Sequence, residues 1–157
     1  MTSRILVSLR VRATPRHAFD VFVNDIGLWW QPSALFGFTR RSRGTLAFEP
    51  EPGGRFTESY PDGSQFEIGM VTTWEPGSRL GFTWRQESFV DDQITNVEVR
   101  FESVRDETRV TVEHLGWETV PVDNAARHSF PDGVFLLRHG EWWQQLLESL
   151  RTQITDH

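Results

Sequence analysis

The sequence predicts an α+β domain: one curved antiparallel sheet, dry on a single face, with a long C-terminal helix lying on that face. Three observations carry this expectation. From Gly44 to Trp117, short alternating segments are separated by Pro52-Gly53-Gly54, Pro61-Asp62-Gly63-Ser64, Glu75-Pro76-Gly77-Ser78, Asp91-Asp92 and Arg105-Asp106-Glu107, all good turn formers, so successive strands pair as a meander. Near the end, the apolar positions fall at Trp143, Leu146, Leu147, Leu150 and Ile154, one face of a helix, while Gln144, Gln145, Glu148, Arg151 and Gln153 fill the other. A sheet with one apolar face also needs a covering layer, which this helix supplies. Because a curved sheet gripping a helix tends to enclose space, the fold class predicts a container for a ligand.

Taken in order, Ile5, Val7, Leu9, Val11 and Ala13 alternate with Leu6, Ser8, Arg10 and Arg12, the pattern of a half-buried strand. Thr14 offers an N-cap and Pro15 the first position of a short helix that puts Ala18, Phe19, Phe22 and Val23 on one face. Asn24-Asp25 and Gly27 are expected to end it, and Leu28, Trp29 and Trp30, before Gln31-Pro32, to form a second short helix or turn. Six strands follow, at Leu46–Glu49, Arg55–Tyr60, Phe66–Trp74, Arg79–Arg85, Ile94–Val104 and Arg109–Trp117. In the later ones Leu80, Phe82 and Trp84, then Val97, Val99 and Phe101, then Val110 and Val112 mark the dry face, with Thr83, Arg85, Glu98, Arg100, Glu102, Thr111 and Glu113 on the wet one. Gly116 to His139 is the least regular stretch. It carries a candidate short helix at Asp123 to His128 and reads either as a lid over the cavity mouth or as a packed connector. In the closing helix Trp143 opens the apolar stripe; Trp142, turned from it by about 100°, is expected to matter less.

At 157 residues the chain is expected to be one domain, residues 1–157. Cysteine is absent, so disulfides and thiolate-based metal sites are excluded, and a cytosolic location is the expectation. No apolar run approaches the roughly 20 residues of a membrane span, and the first residues have no signal design. The net charge of −6, with arginine as the sole basic residue besides histidine, argues against nucleic acid as a partner. Arg40, Arg41 and Arg43 beside Gly44 read as a solvated turn. Seven Trp and twelve Phe against one Tyr fit either a core of large rings or the walls of a cavity.

Strand alternation places His114 on the dry face with Val110 and Val112, where it would be either a ligand contact or general base, or an imidazole satisfied within the fold. Glu58 shares the face of Phe56; pointing inward it would form an acid/base pair with His114, pointing outward it is a surface charge. Expected cavity walls are Trp29, Trp30, Phe56, Phe66, Met70, Phe82, Trp84, Phe101, His114, Phe135 and Trp143. No metal is expected, because His114, His128 and His139 lie far apart in sequence. Gly53-Gly54 sits in a hairpin setting rather than a phosphate loop, no Gly-x-Ser-x-Gly elbow exists, and no cofactor is expected.

Several segments together carry a family resemblance. They are Pro15-Arg16-His17-Ala18-Phe19, Gly53-Gly54-Arg55-Phe56, Val71 to Pro76 leading to Leu80-Gly81-Phe82-Thr83-Trp84, Glu113 to Glu118, and Gly140 to Leu147. In this order and spacing the chain resembles the SRPBCC superfamily (START-like, birch-pollen-allergen-like), and within it the small proteins similar to the C-terminal domain of the activator of heat-shock protein 90 ATPase. The resemblance implies a helix-grip architecture, with two short helices between the first two strands. It implies function less narrowly, since members include lipid carriers, polyketide cyclases and aromatases, and co-chaperone domains. Three functions follow as expectations: a binding protein for a small apolar or aromatic molecule, a cyclase- or aromatase-type enzyme using His114 with Glu58, and an interaction domain assisting a chaperone. In a chain of 157 residues, a separate chaperone-binding domain like that of the eukaryotic activator is not expected, which tells against chaperone activation. Homodimerisation through the outer sheet face or an edge strand is a further expectation of the resemblance.

Overall fold

The computed structural model describes residues 4–30, 44–86, 89–90, 93–120, 124 and 132–155. The expectations for Arg40, Arg41 and Arg43, for the Asp91-Asp92 turn and for a helix at Asp123 to His128 lie outside the described residues, as do residues 121–123 and 125–131 of the candidate lid. Seven strands form one antiparallel sheet: β1 (Arg4–Val11), β2 (Thr45–Phe48), β3 (Arg55–Ser59), β4 (Gln65–Glu75), β5 (Arg79–Trp84), β6 (Thr95–Val104) and β7 (Glu107–Leu115). Their order is β1-β7-β6-β5-β4-β3-β2. From β2 to β7 each strand pairs with the next; Gly63 and Gly77 supply left-handed positions in the tight turns before β4 and β5, at φ 89° and 79°. β1 instead pairs with β7, Ile5 opposite His114 and Leu9 opposite Val110. The chain therefore passes from one edge of the sheet to the other between β1 and β2.

Helices α1 (Pro15–Asn24) and α2 (Ile26–Trp29) lie on that passage. Thr14 caps α1 as its sequence position demands: its backbone is extended, and its hydroxyl accepts from the His17 N–H at 3.1 Å. Phe19 packs edge-on against Trp74 and Phe101, with ring centroids 5.2 and 5.3 Å apart, which seats α1 on the inner sheet face. Gly27 does not end α1; Asp25 closes that helix and Gly27 falls inside α2. The Trp29 indole N–H donates to the Phe22 carbonyl at 3.1 Å, folding α2 back on α1.

Two irregularities interrupt β4. Phe56 lies opposite Gly69 and Thr57 opposite Glu67, so Ile68 is an extra residue; Val71 lies opposite Phe82 and Thr73 opposite Gly81, so Thr72 is another. A bulge reverses the faces of everything beyond it. Ile68 and Val71 are consequently both buried while Met70, between them, points outward.

The closing helix, α3 (Asp132–Thr155), has 24 residues. It begins well before Gly140, so the end of the stretch expected to be irregular, through His139, is helical. The buried stripe runs Phe135, His139, Trp142, Trp143, Leu146, Leu147, Leu150 and Ile154, extending the expected face back by two turns. Each such apolar side chain removed from water contributes roughly 1.5–3 kcal/mol. Trp142 belongs to the stripe, because a stripe wide enough to meet a sheet accommodates two consecutive residues about 100° apart. Ser149 donates to the Trp29 carbonyl at 2.5 Å, tying α3 to α2.

Candidate functional site

The inner face at β5, β6 and β7 meets α3 in a single cluster of rings. Trp84 (β5), His114 (β7), Trp117 in the short 3-10 turn Trp117–Thr119, and Phe135, His139, Trp142 and Trp143 of α3 pack together, and Trp30 closes the group from the end of α2. The Trp30 ring stands 5.8 Å from Trp84, 5.7 Å from Trp142 and 5.5 Å from Trp143, edge-on to the last two. Trp30 and Trp142, each 5 % exposed, form the rim of the cluster, whereas Trp84, Trp117 and Trp143 are wholly buried.

His114 sits in this cluster with no exposed surface, and hydrogen bonds fix its state. An indole can only donate, so the Trp143 Nε1–H given to His114 Nδ1 at 3.1 Å makes Nδ1 an acceptor and puts the ring proton on Nε2. Nε2–H then donates to Thr95 Oγ1 at 2.8 Å, and the Thr95 hydroxyl donates to the Trp84 carbonyl at 2.9 Å. The result is a one-way relay joining α3, β7, β6 and β5. Burial, and secondarily the facing His139, holds His114 well below the ordinary imidazole range. Burial likewise pushes His139 down to about 3. Both imidazoles are neutral at physiological pH, and both ring nitrogens of His114 are committed. Chemically the arrangement offers a rigid apolar wall; a general base would need a nitrogen free to take a proton.

Of the residues expected to line a cavity, Trp30, Trp84, His114, Phe135 and Trp143 come together here. Phe56 and Phe82 belong to a neighbouring group with Phe48, which stacks on Phe56 at 4.2 Å. Trp29 and Phe101 pack around Phe22 beneath α1. Phe66 is half-buried, with the Arg85 guanidinium 4.9 Å above its ring. Met70 is 48 % exposed on the outer face, for the reason the bulge gives, and lines no interior space.

Glu58 points inward, at 8 % exposure, but not toward His114. Its carboxylate accepts from the Tyr60 hydroxyl at 2.6 Å and from the Gly44 N–H at 3.3 Å. It is held on β3, with three strands between β3 and β7. A cleft of about 420 Å³ lined by Gly27, Gly44, Thr45, Ser59, Tyr60 and Pro61 borders β2 and β3. The acid/base pair is not assembled.

Trp117, His139 and Trp142 complete the cluster without having stood out in the sequence. A signal for two of them existed: Phe135, His139 and Trp142 recur at helical spacing ahead of Leu146. Pro131-Asp132-Gly133 hid it by reading as a turn. The two histidines far apart in sequence are in fact neighbours, 5.3 Å between ring centroids. Among the described residues, no group of three or more His, Cys, Asp or Glu stands close enough to hold a metal ion.

Known proteins bear on this site in three ways. No curated protein gives a significant match. Solved structures do: MLL2253 from Mesorhizobium loti superposes with a TM-score of 0.66 at 19% identity over 98% of this chain and 96% of its own. CalU16 from Micromonospora echinospora does so at 0.63 and 19%, over 98% of this chain and 76% of its own. Both show the fold alone. Txn09, an anthrahydroquino-gamma-pyrone synthase complexed with SUM, is 29% identical with a TM-score of 0.60 over 93% of this chain and 96% of its own. The model of the family Activator of Hsp90 ATPase homolog 1-like protein matches residues 12–154. With seven antiparallel strands around a long closing helix, and that family covering nearly its whole length, the chain belongs to the Activator of Hsp90 ATPase homolog 1-like proteins of the SRPBCC superfamily.

Proposed function

We propose that the protein binds a small molecule built on aromatic or similarly apolar rings, seated between β5–β7 and α3 against Trp84, Trp142 and Trp143. The observation that carries this reading is the gathering of five of the seven tryptophans, Trp30, Trp84, Trp117, Trp142 and Trp143, at one place. A core serving stability alone is filled as well by Leu, Ile and Phe, which bring no N–H to satisfy. Flat indole faces suit flat ligands. Access runs past Trp30 and Trp142, the two rim rings, whose edge-on contact at 5.7 Å must open to admit a guest. The likeness to Txn09 supports a ring-bearing ligand. It also favours a second reading, a ring-closing reaction on that ligand; with His114 committed, such a reaction would rest on how the wall folds the substrate rather than on proton transfer by this imidazole.

Titration with a panel of two- to four-ring aromatic compounds, followed by tryptophan fluorescence, tests the binding reading. Saturable quenching by at least one member, weakened in Trp30→Ala, is the expected outcome. A panel with no saturable response in the folded protein would remove the reading.

A further inference from the structure

The cleft beside β2 and β3 stands apart from the ring cluster, since three strands separate β3 from β7. At about 420 Å³ it has room for a small organic molecule. Both hydrogen-bond partners of the Glu58 carboxylate belong to its wall: the Tyr60 hydroxyl, which donates at 2.6 Å, and the Gly44 N–H, which donates at 3.3 Å. Glu58 thus stands directly behind that wall. A Cβ on Gly44 would come within 2.8 Å of Glu58 Cγ and 2.4 Å of the Ser59 carbonyl oxygen, so only glycine lets this stretch of backbone lie against the acid. We propose that the cleft is a binding site for a small organic cation, a primary ammonium, with Glu58 as the residue that anchors it.

The physical reason is the missing counter-charge. Glu58 is 8 % exposed, and both of its partners are neutral donors. Among the described residues no arginine or histidine pairs with it. A carboxylate withdrawn from water without a cation is a costly arrangement, and a positively charged guest removes that cost. Acceptor capacity remains as well, because a carboxylate offers about four lone-pair positions and two are in use. An ammonium suits this vacancy: it is a compact charge with three donors, one for Glu58 and others for the hydroxyls that Thr45 and Ser59 bring to the wall. A metal ion suits it less, since it needs several oxygen or nitrogen ligands and, among the described residues, no group of three or more His, Cys, Asp or Glu gathers. An anion would meet the carboxylate as a like charge.

Cyclohexylamine, cyclohexanol and cyclohexanecarboxylate carry a cationic, a neutral and an anionic head on one saturated ring, and titrating each into the isotope-labelled protein by NMR tests the proposal. The amine is expected to shift the amide signals of Gly44, Thr45, Ser59 and Tyr60 saturably, with an affinity at least about tenfold above that of the alcohol, as a charge-assisted hydrogen bond provides. The carboxylate should leave them unmoved. Glu58→Gln keeps the shape and an acceptor for Tyr60 but removes the charge, and is expected to bring the amine down to the affinity of the alcohol. Gly27→Leu approaches from the opposite wall and serves should the first variant not fold. A Cβ there meets only the Leu46 carbonyl oxygen at 3.5 Å and the Thr45 methyl at 3.6 Å, so the backbone accepts it while the longer side chain occupies the cleft and blocks the amine. Equal affinities for amine and alcohol in the native protein, or no saturable shift from the amine, would overturn the proposal. So would amine binding that is unchanged in either folded variant, or shifts that centre on Trp84 and Trp143 instead.

Discussion

His114 shows what a single residue discloses and withholds. Its inward direction is legible, because strand alternation from Val110 and Val112 leaves no other face. Its chemistry is not, because its partners, Thr95 and Trp143, stand 19 and 29 residues away on other elements. Parity gives a direction; only packing gives a partner. Trp142 and Trp143 make the same point through a difference. A helix phase read from Trp143 onward makes Trp142 peripheral, yet it is buried against His139 at 5.2 Å and Trp30 at 5.7 Å. Both Trp142→Ala and Trp143→Ala are therefore expected to destabilise by about 3–5 kcal/mol, the range for emptying a large buried ring site. Trp143→Ala should sit at the upper end, since it also leaves His114 Nδ1 without its donor. Urea unfolding measures both, and a Trp142→Ala cost below about 1 kcal/mol would place that indole outside the core.

At the scale of elements, strand and turn positions were legible because a hairpin is a local object: its turn residues and its alternation occupy the same dozen residues or so. Bulges are local too, yet carry a fainter mark. In β4 the mark was Gly69, a glycine inside a strand pattern, which signals a bulge or a close approach. Reading simple alternation through it put Met70 on the same wall as Phe66, and the extra residue at Ile68 sends Met70 outward. Gly69 also permits close contact with β5, since a Cβ there would lie 1.8 Å from the Thr83 carbonyl oxygen. Gly69→Ala should thus cost about 3 kcal/mol or more, because backbone, not a flexible side chain, must give way. Met70→Ser on the exposed face should change stability by no more than about 0.5 kcal/mol. Thermal unfolding of the pair decides the matter: comparable effects would mean that the bulge is misplaced and Met70 packs inside.

For the whole molecule, the meander and its covering helix were legible because connectivity and amphipathic pattern suffice to set them. What they enclose was not, since ring packing depends on many distant residues meeting. That meeting has a thermodynamic consequence, which follows from His139. Its folded pKa of about 3 lies below the ordinary imidazole value of 6.5, so between these limits the unfolded chain binds a proton that the folded one refuses. Stability then rises with pH: the contribution is complete above about pH 6.5 and is lost as pH falls toward 3. By about pH 5 the loss from this one group is roughly 2 kcal/mol, at about 1.4 kcal/mol per pH unit. His114, also depressed by burial, adds to it in the same direction. Replacing His139 with Phe keeps a ring among Trp84, Trp117 and Trp142 but removes the titrating nitrogen. Urea unfolding at several pH values from about 7.5 to 4.5 is therefore expected to give a shallower decline of stability in His139→Phe than in the native protein. Identical slopes would mean that His139 is not where acid attacks the fold.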